Sequence, residues 1–353
     1  MTNRSPAGAA PVRTGLIGAG RMGSFHAATV ARRLWRTELV AVADADGERA
    51  ASLAAELGVS SSYAEAGALL EDERVEAVVI AAPARTHAGL VLAALDAGKA
   101  VFCEKPMAVT SEEADRVVDA ARRSGLAVQV GFNRRFAADF AAVHEAAASG
   151  ALGSVQLLRS LTRDPGLASP ERVAPWTIFL ETLIHDFDML AFANPGARPL
   201  EVFASADALV APAYKEQGLL DTAVVTIRYD NGAMGVAEAS FSAAYGYDVR
   251  AEVFGSAGMM TAGAPERGTA VRYGAAGALQ ETARADTELF YDAYVAELSA
   301  FADAVRDKTR PAVGPEAARG ALRIALACAE SVRRHAPVEV AGESAAELAH
   351  PEA

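Results

Sequence analysis

Val12-Arg13-Thr14-Gly15-Leu16-Ile17-Gly18-Ala19-Gly20-Arg21-Met22-Gly23 is the stretch on which the reading of the whole chain turns. The apolar run Val12 to Ile17 has strand length and meets the spacing G-x-G-x-x-G with no linker. An amphipathic helical pattern then runs to about Leu34. Each glycine answers a steric demand: the first permits the tight turn, the second lets a pyrophosphate approach the backbone, and the third lets helix and strand pack closely. The helix N-terminus adds unpaired N–H groups and a positive dipole end. Gly18, Gly20, Arg21, Met22 and Gly23 therefore read as the cradle of a dinucleotide.

Working outward, the next apolar run, Leu39 to Ala43, ends at Asp44, about 20 residues past the glycines. A carboxylate there accepts hydrogen bonds from both ribose hydroxyls and repels a 2′-phosphate, which favours NAD over NADP. Asp44 also has a plainer reading as the cap of the turn before a helix near Asp46, and Arg49 is close enough to temper the exclusion of NADP. Further runs at Ala77 to Ala81, Ala100 to Cys103 and Ala127 to Val130 alternate with helical patterns, which predicts a parallel sheet with crossover helices. Thr110 and Glu113 have capping-box spacing ahead of a helix toward Arg123, with Gly125 as its stop.

After about Gly153 the rhythm changes. Val155 to Thr162, Val202 to Leu209, Thr222 to Tyr229, Ala233 to Phe241 and Val249 to Phe254 read as strands of a mostly antiparallel second sheet. Asp230-Asn231-Gly232 supplies a tight hairpin with positive φ angles. One helix, about Phe179 to Phe192, interrupts the strands, and two more, about Leu289 to Arg306 and Pro315 to Arg334, follow them. The predicted organisation is an α/β dinucleotide-binding domain at 1–131 and an α+β domain with an open sheet at 132–340. A C-terminal helix packs back on the first domain, and a mobile tail occupies 341–353.

Bulk properties exclude several classes. A length of 353 residues suits two domains, and 52% hydrophobic with 22% charged residues is ordinary for a globular protein. A formal charge of -12 disfavours nucleic acid and anionic membranes as partners. No apolar run reaches the roughly 18 to 20 residues of a membrane span, and Met1 to Val12 lacks an apolar signal core, so a cytoplasmic location is expected. Cys103 and Cys328 lack metal-type spacing and read as packing residues.

The third and fourth strands of the first domain end in Ala82-Pro83-Ala84-Arg85-Thr86-His87 and Cys103-Glu104-Lys105-Pro106, facing the crevice where doubly wound sheets bind ligands. With the glycine fingerprint, Glu104-Lys105-Pro106 resembles the signature of the Gfo/Idh/MocA oxidoreductase family. Pro83 to His87 resembles that family's segment on the nicotinamide side. The likeness continues in Gly131 to Phe136, in Ile184-His185-Asp186-Phe187-Asp188, and in Tyr245 to Arg250 followed by Glu252 to Gly255. These last segments are most similar to the inositol dehydrogenase branch.

The resemblance implies a Rossmann domain that binds NAD through the glycine cradle, Asp44, Ala82, Pro83, His87, Glu104 and Lys105. It implies that Lys105 contacts the reacting oxygen and the nicotinamide ribose, that Glu104 supports the lysine, and that His185 removes the hydroxyl proton. Asn133, Arg134, Asp164, Glu181, Thr182 and Tyr245 join Lys105 and His185 around a polyhydroxylated substrate. The chemistry is reasonable on its own terms. Alcohol oxidation releases a proton, which an imidazole with a pKa of about 6.5 accepts at neutral pH, while an ammonium steadies the developing alkoxide. Read in isolation, Lys105 is equally a surface residue after a strand, His185 a core histidine, Arg134 the partner of an internal carboxylate, Asp164 a turn cap before Pro165, and Tyr245 a residue packed on the sheet.

Glu181 and His185 stand i and i+4, on one face of a helix, which suits a base and its orienter. The family pattern implies Asp at 181 and a Gly-Gly pair where this chain has Trp176-Thr177. These departures bear on substrate choice. Glu181, His185 and Asp188 do not make a complete ligand set, so no metal is expected. His26 reads as helix packing or a minor cofactor contact, and the resemblance implies a cis peptide at Pro106. The expected activity is oxidation of a CH-OH group of a cyclitol or sugar to a ketone with NAD, in a homodimer or homotetramer. A reductase of keto-sugars or imines, a glycosidase that recycles its NAD, and a dinucleotide sensor stand as alternatives.

Overall fold

The computed structural model describes residues 10–341 apart from Ala168 and Ala276. The chain divides into two compact units, Met1–Phe136 with Tyr291–Arg319 and Ala137–Phe290 with Gly320–Ala353. It passes between them at 136/137, 290/291 and 319/320, whereas the sequence rhythm places one boundary after residue 131. The expected tail lies, from residue 342 on, outside the described residues. Among the described residues no helix is long and apolar enough to cross a membrane.

In the first unit, strands β1 (Val12–Ile17), β2 (Thr37–Ala43), β3 (Ser62–Tyr63), β4 (Ala77–Ile80), β5 (Ala100–Cys103) and β6 (Val128–Val130) form one parallel sheet in the order β3-β2-β1-β4-β5-β6. Every residue of β4 and β5 is buried, as expected of central parallel strands covered on both faces. Crossover helices α1 (Arg21–Arg32), α2 (Gly47–Leu57), α3 (Ala66–Leu70), α4 (His87–Asp96) and α5 (Ser111–Ser124) separate the strands. β3 and α3 carry too few residues to show a period, and the sequence does not announce them. At α5 the Thr110 hydroxyl accepts from Glu113 N at 3.2 Å, and Gly125 closes the helix at φ 65. The reciprocal bond shifts by one residue, since Glu113 accepts from Val109 N rather than from the cap residue's own N–H.

The second unit begins with α6 (Ala138–Ala148), β7 (Val155–Arg163) and α7 (Ile184–Phe192). It continues with β8 (Pro199–Asp207), β9 (Thr222–Tyr229), β10 (Met234–Ser240), β11 (Asp248–Gly255) and β12 (Gly258–Ala262). The hairpin β13 (Glu266–Gly274) and β14 (Gly277–Thr282) forms a sheet of its own. Helices α8 (Asp286–Leu289), α9 (Tyr291–Asp307) and α10 (Pro315–Arg334) precede β15 (Val338–Glu339). The large sheet runs β12-β11-β7-β10-β9-β8-β15, antiparallel except where β10 lies parallel to β7. α6 and α7 pack on one of its faces. The other presents Leu157, Phe203, Val224, Met234, Phe254 and Met259 as exposed side chains.

Two local expectations change. The turn between β9 and β10 is a three-residue loop: Tyr229 O accepts from Gly232 N at 3.1 Å, and Tyr229 N donates to Ala233 O at 3.0 Å. Gly232 has φ 87 while Asn231 is not at positive φ, so a type I turn followed by a left-handed glycine replaces a turn with both residues at positive φ. The single helix Phe179 to Phe192 is instead a π-helical turn, Ile178–Thr182, followed by α7. Leu183 N reaches back five residues to Ile178 O at 2.8 Å, and the turn opens from Trp176, which sits at φ 64. Glu181 lies within this irregularity and His185 after it, so the i, i+4 geometry of one regular α-helix does not apply to them.

A Cβ at Gly232 would meet nothing within 4 Å, so replacement there carries only the conformational cost of a left-handed residue. Gly232→Ala should lower the unfolding free energy by about 1–2 kcal/mol. Gly320→Ala, in α10 and equally open, should raise it by roughly 0.5–1 kcal/mol. Urea midpoints at equal slope check both.

Candidate functional site

In the first unit the predicted cofactor residues gather at the carboxyl edge of the sheet, because each follows a parallel strand there: Gly18 to Gly23 after β1, Asp44 after β2, Ala82 and Pro83 after β4, Glu104 and Lys105 after β5. Asn133 and Arg134, both buried, follow β6 in a 3-10 turn. The glycine pattern meets its steric purpose. A Cβ on Gly23 would stand 1.7 Å from Gly18 O, and one on Gly18 2.6 Å from Ala81 O. At Gly20 nothing lies within 4 Å, leaving the backbone open to an incoming group. Gly20, at the N-cap of α1, brings no capping side chain to the helix end. Asp44 Oδ2 accepts from Ala19 N at 2.6 Å, which holds the carboxylate against the same loop. Arg49 approaches Asp44 Oδ1 at 3.5 Å and also pairs with Asp46. Loop, open helix end and carboxylate together fit a dinucleotide.

Behind Lys105 lies a buried cluster for which sequence gives no spacing signal. His26 on α1 is fully buried, and its Nε2 is 2.6 Å from Glu104 Oε1. Glu104 Oε2 accepts from Lys105 N at 3.2 Å. Gly131 makes room, since a Cβ there would come within 3.3 Å of the Glu104 carboxyl. Glu297 on α9 completes the cluster, with ligand-type atoms of the three residues within 4.8 Å of one another. A spacing of 2.6 Å is that of a hydrogen bond rather than of two ligands bracketing an ion.

Burial works against the Glu104 charge, but the His26 hydrogen bond and the charges of His26, Lys105 and His87 overcome it and hold the carboxyl below its usual range. Burial, with the negative Glu104 nearby, pushes Glu297 well above the usual range, so Glu297 is the neutral member. Burial likewise raises the Cys103 and Cys328 thiols.

The second unit places Asp164 after β7, Thr182 and Glu181 in the π-helical turn, and His185 in the first turn of α7. Asp186, fully buried, fixes this turn to β7 by accepting from Ser160 Oγ at 2.5 Å and Thr162 Oγ1 at 2.7 Å. A residue quoted only as part of a motif thus anchors the backbone that carries His185. Tyr245 is exposed, and its hydroxyl donates to Asp248 Oδ2 at 2.6 Å and accepts from Arg163 at 3.4 Å. Trp176 stacks on Phe179 with centroids 6.5 Å apart, and Arg333 lies over the Trp176 ring at 4.5 Å.

The raised Glu297 carboxyl has a consequence for stability. Below the ordinary carboxyl pKa both folded and unfolded chains hold its proton. Above it the unfolded chain releases the proton while the folded one keeps it, so stability falls as pH rises toward the folded value. Glu297→Gln keeps the neutral shape and should flatten this decline between about pH 5 and 8. Urea midpoints measured across that range for both proteins check it, and parallel slopes would count against a neutral Glu297.

Residues 12–132 match the family profile described as an oxidoreductase family with an NAD-binding Rossmann fold. Residues 140–261 match the GFO/IDH/MocA C-terminal domain. The myo-inositol 2-dehydrogenase of Thermotoga maritima is 34% identical over 336 residues, covering 93% of this chain and 98% of the relative. The NAD(+) scyllo-inositol 2-dehydrogenase of Bacillus subtilis is 32% identical over 330 residues, covering 93% and 96%. The crystal structure of scyllo-inositol dehydrogenase from Lactobacillus casei with bound NAD(H) and scyllo-inositol matches with a TM-score of 0.89 at 26% identity, covering 94% of this chain and all of that one (100%). Glycine cradle, strand-end Glu104-Lys105 and both matched domains lead to one assignment: the chain belongs to the Gfo/Idh/MocA oxidoreductase family.

Proposed function

We propose that this protein is an NAD-dependent dehydrogenase that oxidises a secondary hydroxyl of a cyclitol, or of a sugar of similar polyol shape, to a ketone. The observation that carries the reading is the edge of the parallel sheet, where a fitted dinucleotide cradle with Asp44 adjoins Glu104-Lys105, in a chain similar over nearly its whole length to enzymes named inositol dehydrogenases.

When bound, NAD supplies the acceptor for the hydride. Gly18, Gly20, Arg21, Met22 and Gly23 would hold its pyrophosphate side, Asp44 its ribose hydroxyls, and Ala82 and Pro83 the nicotinamide side, with the buried His87 behind them. Lys105 orients the substrate oxygen and stabilises negative charge as it develops. His185 takes the hydroxyl proton. Its Nδ1 is buried, so Nε2 is the ring atom assigned to proton transfer. Asn133, Arg134, Asp164, Glu181, Thr182 and Tyr245 are assigned to the substrate hydroxyls, Tyr245 while also tied to Asp248.

Self-association is assigned to the open face of the large sheet. There Met259 pairs with Phe254, Phe254 with Leu157, and Leu157 with Met234, a continuous apolar row across four strands. Exposed apolar patches of this kind mark association surfaces. An acidic chain with two free, buried cysteines suits the reducing cytoplasm.

A panel of inositols, inosamines and aldoses run with NAD and NADP in parallel tests the activity, with stereoselective NADH formation as the expected result. Lys105→Met and His185→Ala should each lower kcat by at least about 100-fold, and the histidine variant should lose the acidic limb of the pH profile. NAD binding without NADH formation on any polyol would overturn the reading. For the assembly, light scattering after size exclusion should find an oligomer that Leu157→Glu with Met234→Glu converts to monomer. A monomeric unmutated protein would contradict the interface.

A further inference from the structure

His87 is the first residue of α4 and is 2% exposed. Both of its ring nitrogens face backbone carbonyl oxygens: Nδ1 is 2.7 Å from Pro106 O, and Nε2 is 2.7 Å from Ala82 O. A carbonyl oxygen only accepts. A neutral imidazole has one N–H and one lone pair, so either neutral tautomer would aim a lone pair at an oxygen 2.7 Å away. Turning the ring over puts carbons at these positions, well inside the roughly 3.3–3.6 Å of a C–H···O contact. Two donors are required.

We propose that His87 is a doubly protonated imidazolium that clamps the Ala82 carbonyl after β4 to the Pro106 carbonyl after β5, and so acts as a positioning residue for the loops carrying Pro83 and Lys105. The strands themselves end in register, with Ile80 opposite Cys103. Past the last bond of that pairing, from Glu104 N to Ile80 O at 2.9 Å, the His87 ring bridges the two loops and keeps them at fixed spacing.

The surrounding charges decide whether a buried cation is tolerable. Its place at the N-terminus of α4 opposes it, because the helix dipole is positive there. Glu104 answers it: the attraction between His87 and Glu104 is among the effects that keep that carboxyl ionised. The other ionisable groups around Glu104 are His26, Lys105, the neutral Glu297 and the Cys103 thiol. α5, packed against α4, buries Ala114, Val117 and Val118, and α3 buries Leu69 and Leu70, so neither adds a buried charge. Among these groups Glu104 is the carboxylate that balances the ring.

The functional consequence rests on the NAD dehydrogenase reading, whereas the protonation state does not, and the test separates the two. In protein labelled with 15N-histidine, long-range proton–nitrogen correlation reads both ring nitrogens of each of the six histidines directly. His87 is assigned by loss of its signals in His87→Gln or, should that variant fail to fold, by elimination with single variants of the other five. Both His87 nitrogens should carry protons at pH 7. A lone-pair nitrogen in its place would overturn the proposal. Folded His87→Gln can donate to only one of the two carbonyls and should weaken NAD binding about tenfold by calorimetry, with KM for NAD rising more than kcat falls. Unchanged NAD affinity would overturn the positioning role even with the imidazolium in place. Loss of NAD binding in the unmutated protein would instead overturn the dehydrogenase reading and leave the nitrogen signals to decide the ring.

Discussion

The contact between Gly23 and the Gly18 carbonyl is the constraint on which the remainder depends. No side chain fits there, since even a Cβ would lie 1.7 Å from the oxygen. The first helix can therefore start only against the turn that ends the first strand, with its open N–H groups at the sheet's carboxyl edge. Parallel order carries the other strand ends to the same edge, so Asp44, Ala82-Pro83 and Glu104-Lys105 converge without any of them being near the glycines in sequence. Substitution of Gly23 would displace the helix from the strand and with it the whole edge.

Charge management at that edge is the second layer. Lys105 hangs from a backbone N–H held by Glu104, and Glu104 is held by His26. Two carboxyls so close in a dry interior cannot both ionise, and the structure divides the roles: Glu104 keeps its charge through hydrogen-bonded and cationic partners, and Glu297 keeps its proton. In the second unit Asp186 plays a comparable part. A buried carboxylate satisfied by Ser160 and Thr162 fixes the turn that carries His185.

The gathering of the candidate cofactor residues at one sheet edge was legible in the sequence because its determinants are local: three glycines at fixed spacing, a carboxylate one strand later, and Glu104-Lys105-Pro106 at a strand end. The Lys105-Pro106 bond is cis, as the family resemblance implies. Less was legible where geometry depends on distant partners. His26 and Glu297 lie at opposite ends of the chain, and nothing in either neighbourhood marks them as a pair. The π-helical turn was hidden because an apolar period cannot distinguish it from an α-helix, while Trp176 just before it, at positive φ, takes a conformation that sequence assigns to glycine. The hairpin at Asn231-Gly232 was found in place but not in type, because Asn231 is not at positive φ and its side chain instead bonds Ala233 N and Asn194. β3 and β15 are two residues each and form only because longer strands offer them an edge.

The most direct measurement of the central claim follows a labelled atom. Each inositol of the panel, carrying deuterium on its ring carbons, is incubated with the purified protein and NAD, and the recovered dinucleotide is analysed by mass spectrometry and proton NMR. One deuterium should appear at the nicotinamide C4 for each ketone formed, on a single face. Ketone formed with no deuterium in the dinucleotide, or deuterium lost to solvent while NAD stays unreduced, would contradict it.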